Sequence, residues 1–218
     1  MHVLVTGNGS GIGRAIDLEL RRAGHDLIGT HAPCFGQPNN MRRDWDIADE
    51  YQNKEVMAHI DNLDVLVNNA GILDEEEFGD LTAEGIGRIF RTNFVAPLLL
   101  SQEAVKRGAK LIINIGSMYG VTGAYGRKPT YAASKAALHN ATRSLARALA
   151  PAVRVVGVAP GIIPTGIHDN QGGIDKHGTG HSLLGRVGTV EDVARTVRFL
   201  IEDGQYINGT VVEVSGGR

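Results

Sequence analysis

Tyr131 and Lys135, four positions apart, are the residues of this chain whose types and spacing best suit catalysis. In a helix, residues four apart lie one turn apart on the same face, so the ammonium group can act on the phenol. A free tyrosine has a pKa of ~10, and a nearby cation lowers it by roughly 1 to 3 units. Two cations could bring the phenol close to physiological pH. The pair therefore predicts a proton donor and acceptor, provided that the rest of the chain supplies the second cation.

A glycine-rich segment, residues 6–13 (TGNGSGIG), follows the first predicted strand and leads into the first predicted helix. Glycines let a backbone approach a pyrophosphate closely, and the free N–H groups at a helix start carry partial positive charge. A flexible turn is the simpler alternative. The placement between strand and helix favours a dinucleotide site, although three residues separate Gly7 from Gly11, unlike the GxGxxG spacing.

The elements that must position these residues alternate along the chain. Short apolar, β-branched runs predict strands at 2–6, 27–29, 41–44, 63–67, 111–115, 153–158 and 210–214. Helical spacing predicts helices at 12–22, 82–107 with a kink at Pro97, and 130–150. We also expect a helix to about Ile60 with Asp46 as its N-cap and Asp49 at its third position, and one from Thr189 to Glu202 with Asp192 as its capping partner.

This alternation predicts an α/β fold, a doubly wound Rossmann-type parallel sheet in a single domain over residues 1–218. Residues 31–40 contain two prolines, so we expect the helix between strands two and three to be missing. Residues 162–187 are polar, glycine-rich and without periodicity, which at that length predicts a substrate lid.

The composition restricts the partners. With 42% hydrophobic and 21% charged residues, 218 residues suit one compact domain. The net charge of −2 provides no long-range field for nucleic acid or an anionic membrane, so we expect a small-molecule partner. The single cysteine, Cys34, excludes an internal disulfide bond, and no leader or long apolar run is recognisable, which predicts a cytoplasmic protein.

Several further motifs occur in one characteristic order. They are Asn68-Asn69-Ala70-Gly71 after the fourth strand, Asn93, Ser117, Pro160-Gly161 with Thr165, the stretch 184–194 and the closing Ser215-Gly216-Gly217. Together with the glycine segment and the YxxxK of Tyr131 and Lys135, they make the chain resemble the single-domain branch of the short-chain dehydrogenase/reductase family. The resemblance covers essentially the whole chain.

The resemblance implies a nicotinamide cofactor, NAD(P), whose oxidised ring is the second cation, and a carbonyl or secondary alcohol as substrate. Tyr131 would be the general acid and base. Lys135 would lower the pKa of Tyr131 and hold the nicotinamide ribose. Ser117 would bind the substrate oxygen, and Asn93, an unfavourable residue inside a helix, would hold a water that relays protons from the lysine. A homotetramer or homodimer is also implied.

The cofactor-binding residues implied by the resemblance are Gly7, Asn8, Ser10, Gly11, Ile12, Gly13, Thr30, Asp44, Trp45, Asn69, Ala70, Gly71, Tyr131, Lys135, Pro160, Gly161, Ile162 and Thr165. Asp44 is preferred to Asp46 as the partner of the adenine amino group, because Asp46 is expected to cap a helix. Thr30 and His31 stand where an acidic residue would bind the ribose 2′-OH, which favours NADP over NAD. Arg42 and Arg43 could meet the 2′-phosphate.

Besides the missing helix, one departure from the family pattern and three alternatives accompany this interpretation. Ser117 and Tyr131 differ by 14 in number rather than the family's 13, so one extra residue could reshape the substrate wall. A zinc site formed by His168, His177, His181 and Asp175 is disfavoured, because no regular element fixes a tetrahedral geometry. A catalytically silent dinucleotide-binding regulator would not need the four predicted catalytic residues. An epimerase or dehydratase would be expected to carry a larger C-terminal substrate domain.

Overall fold

A computed structural model describes residues 1–29, 45–124, 128–165 and 182–217 of the chain. The strands are β1 His2–Val5, β2 Asp26–Gly29, β3 Val65–Asn68, β4 Leu111–Ile115, β5 Arg154–Pro160 and β6 Val211–Val214. The helices are α1 Gly11–Arg22, α2 Glu50–Ala58, α3 Ala83–Phe90, α4 Ala96–Lys106, α5 Tyr119–Thr122, α6 Pro129–Leu149 and α7 Val190–Glu202.

The six described strands form one parallel sheet in the order β2-β1-β3-β4-β5-β6. The order reverses between β1 and β3, and the crevice beyond the carboxyl ends of two such strands is where open α/β sheets bind ligands. Successive strand residues point to opposite faces. Val3 and Val5 join the core beneath α1 and α7, whereas Leu4 joins the core beneath α2, α4 and α6. The predicted doubly wound parallel α/β fold is confirmed.

The region after β2 was predicted in detail but is only partly described. The expected strand at 41–44, the missing helix at 31–40, Thr30 and Asp44 all lie outside the described residues. The expected cap at Asp46 is wrong, because α2 begins one turn later. Asp49 is the N-cap, and its carboxylate accepts hydrogen bonds from the backbone N–H groups of Tyr51 and Gln52. Asp46 instead accepts from the N–H of Ala48, so helix capping no longer argues against Asp46 as the adenine partner.

The long helix predicted at 82–107 is present, but its irregularity precedes Pro97. Between α3 and α4 the chain makes a π-helical turn over Arg91–Val95. Proline has no N–H to donate to the carbonyl of residue 93, which leaves that turn free to widen. The wide turn carries Asn93, which is completely buried.

The start of α7 was predicted correctly. The Thr189 hydroxyl accepts from the backbone N–H of Asp192, and the Asp192 carboxylate accepts from that of Thr189. We expect Thr189→Ala to lower the free energy of unfolding by about 1 kcal/mol, because the backbone N–H of Asp192 loses the hydroxyl that caps the helix. Urea denaturation measures this change. Thr189→Ser, which keeps the hydroxyl, is the control, and an equal loss in both variants would contradict a capping role.

Among the described residues, no helix combines the length and the apolar character that a membrane span requires.

Candidate active site

A cavity of about 460 Å³ opens at the carboxyl ends of β1, β3, β4 and β5. Most of the residues that the sequence proposed for the site line it. They are Gly7, Ser10, Gly11, Ile12, Gly13, Asn69, Ala70, Gly71, Ser117, Tyr131, Lys135, Pro160, Gly161, Ile162 and Thr165. The fold thus brings together segments that are up to about 150 residues apart in the sequence, as expected for loops that follow neighbouring parallel strands.

The glycine loop at the first edge of the cavity has a backbone that only glycine adopts easily. Gly7 and Gly11 have φ angles of +66° and +52°, in the left-handed region. A Cβ on Gly13 would overlap the carbonyl oxygen of Gly7 and lie 2.5 Å from Nδ2 of Asn69. These contacts let the loop turn tightly into α1, and the first N–H groups of α1 have no partner within that helix, which suits a phosphate.

Gly13→Ala is expected to damage the loop more than an ordinary helix substitution does. The added methyl group must displace either the Gly7 carbonyl or the Asn69 amide, which donates to the carbonyl oxygens of Thr6 and Gly7 at 2.9 and 3.2 Å. We expect a loss of about 1 to 3 kcal/mol in unfolding free energy and at least ~10-fold weaker NADPH binding. Denaturation and a fluorescence titration of NADPH measure these changes. Gly24→Ala, at a helix end with open space around it, is the comparison for the binding assay, and equal NADPH affinity in both variants would contradict the expectation.

Two predicted cofactor residues lie outside the cavity lining. The Asn8 side chain donates to Oδ1 of buried Asp17 at 3.0 Å, and so braces the glycine loop against α1. Trp45 donates from Nε1 to Oδ1 of Asn53 at 2.9 Å and packs beside the core under α2. Neither residue lines the cavity, so contact of these two residues with a cofactor stays a prediction.

The predicted catalytic pair lies on one face of α6, as its spacing requires. Lys135 is 4% exposed, and its Nζ donates to the carbonyl oxygen of Ile115, the last residue of β4, at 2.9 Å. That Nζ lies 5.8 Å from the centroid of the Tyr131 ring. The Tyr119 ring meets the Tyr131 ring edge to face at 6.4 Å. Packing therefore holds the phenol in one orientation at the cavity wall.

The charge states of the pair are set by burial. Burial raises the pKa of Tyr131 to about 12, and a hydrogen bond with Ser117 opposes this rise. Burial lowers the pKa of Lys135 to about 8. The protein's own groups thus keep Tyr131 protonated at neutral pH, because removal from water outweighs the opposing interaction. The acidic phenol was predicted only with a second cation beside the ammonium, so that prediction remains untested.

Asn93 lies behind the cavity rather than in its lining. Its Oδ1 accepts from the N–H of Ile72 and its Nδ2 donates to the Ile72 carbonyl, both at 2.9 Å, while Nδ2 also reaches Oγ of Ser134 at 3.1 Å. A Cβ on Gly71 would lie 3.1 Å from Oδ1 of Asn93 and 3.4 Å from Nζ of Lys135. The side chains of Asn93 and Lys135 therefore both approach Gly71, where a larger residue would crowd them.

The sequence interpretation missed several cavity residues. They are Leu73, Ile115 and Gly116, whereas Met118, Tyr119 and Ile163 fall within 118–130 and 162–187, the segments from which the sequence predicts the substrate pocket. Each of the three missed residues lies within two positions of a proposed one, so the ends of β3 and β4 could have been included as whole segments. The short helix α5, which carries Tyr119, also was not predicted, because four residues show no periodicity.

No group of three or more potential metal ligands occurs among the residues that the structure describes. The three lid histidines and Asp175 lie outside that part of the chain.

A doubly wound parallel sheet with a glycine loop entering α1 at its switch point, and a partly buried tyrosine with a buried lysine facing the same crevice, define a dinucleotide-binding α/β enzyme. A family model described as enoyl-(acyl carrier protein) reductase matches residues 7–218. The 3-oxoacyl-[acyl-carrier-protein] reductase FabG of Pseudomonas aeruginosa is 34% identical over 236 residues, covering 98% of this chain and 95% of the relative.

Solved structures agree with these sequence matches. A blue fluorescent protein from a metagenomic library, in complex with NADPH, is 32% identical with a TM-score of 0.88, covering 99% of this chain and 96% of that one. A short-chain dehydrogenase from Burkholderia cenocepacia, in complex with NADP, is 31% identical with a TM-score of 0.84 and the same coverage of 99% and 96%. The chain belongs to the short-chain dehydrogenase/reductase family and is an NAD(P)-dependent oxidoreductase.

Proposed function

We propose that this protein interconverts a carbonyl compound and a secondary alcohol, with Tyr131 as the group that donates and accepts the proton. The observation that carries the proposal is the convergence of Ser117, Tyr131 and Lys135 on the cavity that the glycine loop borders. Proton transfer needs a donor within reach of the reacting oxygen, and a rigid element improves its alignment. The helix α6 provides that rigidity for Tyr131.

The residues present fit a nicotinamide dinucleotide. Gly7, Ser10, Gly11 and Ile12 border the crevice where the first N–H groups of α1 suit the pyrophosphate, and the backbone at Gly13 leaves no room for a side chain there. Asn69, Ala70 and Gly71 would line the adenosine side, and 160–165 the nicotinamide side. Thr30, Asp44, Asn8 and Trp45 remain predictions for the adenosine end.

The chain's own residues suit the reducing direction. Because burial keeps the pKa of Tyr131 at about 12, the phenol carries a proton at neutral pH that it can give to the carbonyl oxygen. The bound nicotinamide would supply the hydride to the carbonyl carbon. Ser117 would hydrogen-bond the same oxygen and hold it beside Tyr131, and Lys135 would stabilise the phenolate that forms as the proton leaves. Asn93 would hold the relay water that returns a proton.

NADP(H) is the cofactor we propose over NAD(H). The support is the identity of over 30% with relatives solved in complex with NADPH and NADP. The lack of an acidic residue at Thr30 and His31 agrees with this preference. A substrate lid at 162–187, a homodimer or homotetramer and a cytoplasmic location remain predictions from the sequence.

The test follows the absorbance of NADPH and of NADH with a panel of carbonyl substrates. Since the relatives include a 3-oxoacyl-[acyl-carrier-protein] reductase and an aldohexose dehydrogenase, the panel contains 3-oxoacyl thioesters, sugar lactones and simple ketones. We expect oxidation of NADPH with at least one class and a higher kcat/KM than with NADH. Tight cofactor binding without turnover on any class would instead favour the silent regulator.

A further inference from the structure

A third side chain continues the face of α6 that carries Tyr131 and Lys135. His139 follows Lys135 by four residues, as Lys135 follows Tyr131, so all three lie on successive turns of one face. His139 is only 3% exposed. Its Nε2 accepts a hydrogen bond from the backbone N–H of Ser117 at 3.3 Å. The mechanism above gives this buried imidazole no role.

The strand pairing around Ser117 shows why its backbone N–H needs an acceptor outside the sheet. On either side of it, the N–H of Gly116 donates to the carbonyl of Val158 at 2.7 Å and that of Met118 to the carbonyl of Pro160 at 2.9 Å. Successive N–H groups of an extended chain point to opposite sides, so the N–H of Ser117 points away from β5. The pairing of β3 with β4 ends at Asn68 and Asn114. The imidazole therefore takes the place of the missing strand neighbour.

Two glycines make room for the ring. A Cβ on Gly116 would overlap Nε2 of His139, and one on Gly120 would lie 2.9 Å from its Cε1. Real side-chain atoms do not approach so closely, so the segment before and after Ser117 is fitted around the imidazole. This fit holds the imidazole in place, with Nε2 within hydrogen-bond distance of the N–H of Ser117.

We propose that His139 is a positioning residue for the reaction, which holds the backbone of Ser117 so that its hydroxyl stays in line with Tyr131. This inference rests on the function proposed above. His139 acts through Ser117 and contacts neither substrate nor cofactor. Its effect is therefore expected in kcat rather than in cofactor binding.

The protonation state of His139 agrees with an accepting Nε2. Burial, with Lys135 and Arg143 as nearby positive charges, lowers the pKa of His139 to about 4. The ring is then neutral at physiological pH, and because Nε2 accepts, its hydrogen is on Nδ1. In water, neutral histidine favours the tautomer with its hydrogen on Nε2. The tautomer of His139 can therefore be tested by measurement.

The experiment compares two substitutions of nearly the same shape. His139→Gln can place Oε1 where Nε2 accepts, whereas His139→Met fills the space without an acceptor. We expect His139→Met to lower kcat about 10-fold with an unchanged dissociation constant for NADPH, and His139→Gln to stay within about 3-fold of the native kcat. Equal losses in the two variants would overturn the proposal.

A double-mutant cycle separates positioning from packing. In a Ser117→Ala background, His139→Met is expected to cost less than about 2-fold, because the hydroxyl that it positions is already gone. Thr142→Val is the control on the same helix: it removes the hydroxyl that accepts from Asn114 and should change kcat equally in both backgrounds. A full additional loss from His139→Met in the Ser117→Ala background would refute the role.

The proposal and the function on which it rests fail in different ways. Full activity in Tyr131→Phe would overturn both, whereas an inactive Tyr131→Phe with native kcat in His139→Met would overturn only the positioning role. The native protein provides a measurement that needs no variant. ¹H–¹⁵N spectra of the histidine side chains should show His139 with its proton on Nδ1 at pH 7, and a proton on Nε2 would refute the hydrogen bond.

Discussion

Tyr131→Phe is expected to bind NADPH as tightly as the native protein and to reduce carbonyl substrates about 1,000-fold more slowly. General acid catalysis contributes typically 10² to 10⁴-fold, and this substitution removes only the phenolic O–H. The phenyl ring keeps its edge-to-face packing against Tyr119 at 6.4 Å, so the cavity should keep its shape. The variant loses the hydrogen bond with Ser117, which should cost about 1 kcal/mol of unfolding free energy and leave the protein folded.

The measurements are the steady-state kcat with the substrate found in the carbonyl panel, and the dissociation constant of NADPH by fluorescence. Tyr206→Phe is the matched control, because the Tyr206 side chain is fully exposed and loses the same hydroxyl group. The control should retain native kcat. If Tyr131→Phe also retained it, Tyr131 would not be the proton donor, and the carbonyl reduction would need another acid.

Lys135→Met is expected to lower the rate of carbonyl reduction about 100-fold and yet to raise the free energy of unfolding. The Nζ of Lys135 lies 5.8 Å from the Tyr131 ring centroid, where a unit charge at an effective dielectric constant of about 20 is worth about 3 kcal/mol to a forming phenolate. That energy corresponds to roughly 100-fold in rate. The variant should also oxidise alcohols more slowly, because the phenolate that accepts the alcohol proton loses the same stabilisation.

The gain in stability follows from the same burial. The pKa of Lys135 is lowered from 10.5 to about 8 in the folded protein, so below pH 8 the folded state holds a proton that is costly to bury. One pKa unit corresponds to ~1.4 kcal/mol, which makes this cost about 3 kcal/mol at neutral pH. Methionine avoids it but forfeits the hydrogen bond to Ile115, worth about 1 kcal/mol. We therefore expect a net gain of about 2 kcal/mol.

Urea denaturation at several pH values tests this balance. Native stability should rise between pH 8 and 10.5, because the folded protein releases the proton while the unfolded chain still holds it, and the advantage of Lys135→Met should shrink over the same range. Lys110→Met, at an exposed lysine, should show no such trend. A variant less stable than the native protein at pH 7 would contradict a buried, charged Lys135.

Local patterns were sufficient for much of the fold. The strand at Leu111–Ile115 has the predicted bounds, and the capping box at Thr189 is formed as its spacing indicated. Such features depend on residues within one or two turns of each other, so the sequence alone contains their cause. The cap of α2 was predicted one turn too early: Asp46 and Asp49 are both residue types that cap helices, and Asp49 is the N-cap.

The types and spacing of the reactive side chains could likewise be predicted from the sequence, whereas their hydrogen-bond partners and protonation states could not. The sequence by itself determined that Tyr131 and Lys135 share a helix face and that a glycine loop opens α1. Only the tertiary structure decided that Asn93 bonds to Ile72 from a π-helical turn, that Asn8 braces the loop through Asp17, and that His139 supports Ser117. It also decided that Tyr131 is held neutral, because a pKa depends on removal from water by residues from several strands and helices, and no spacing along one segment encodes that burial.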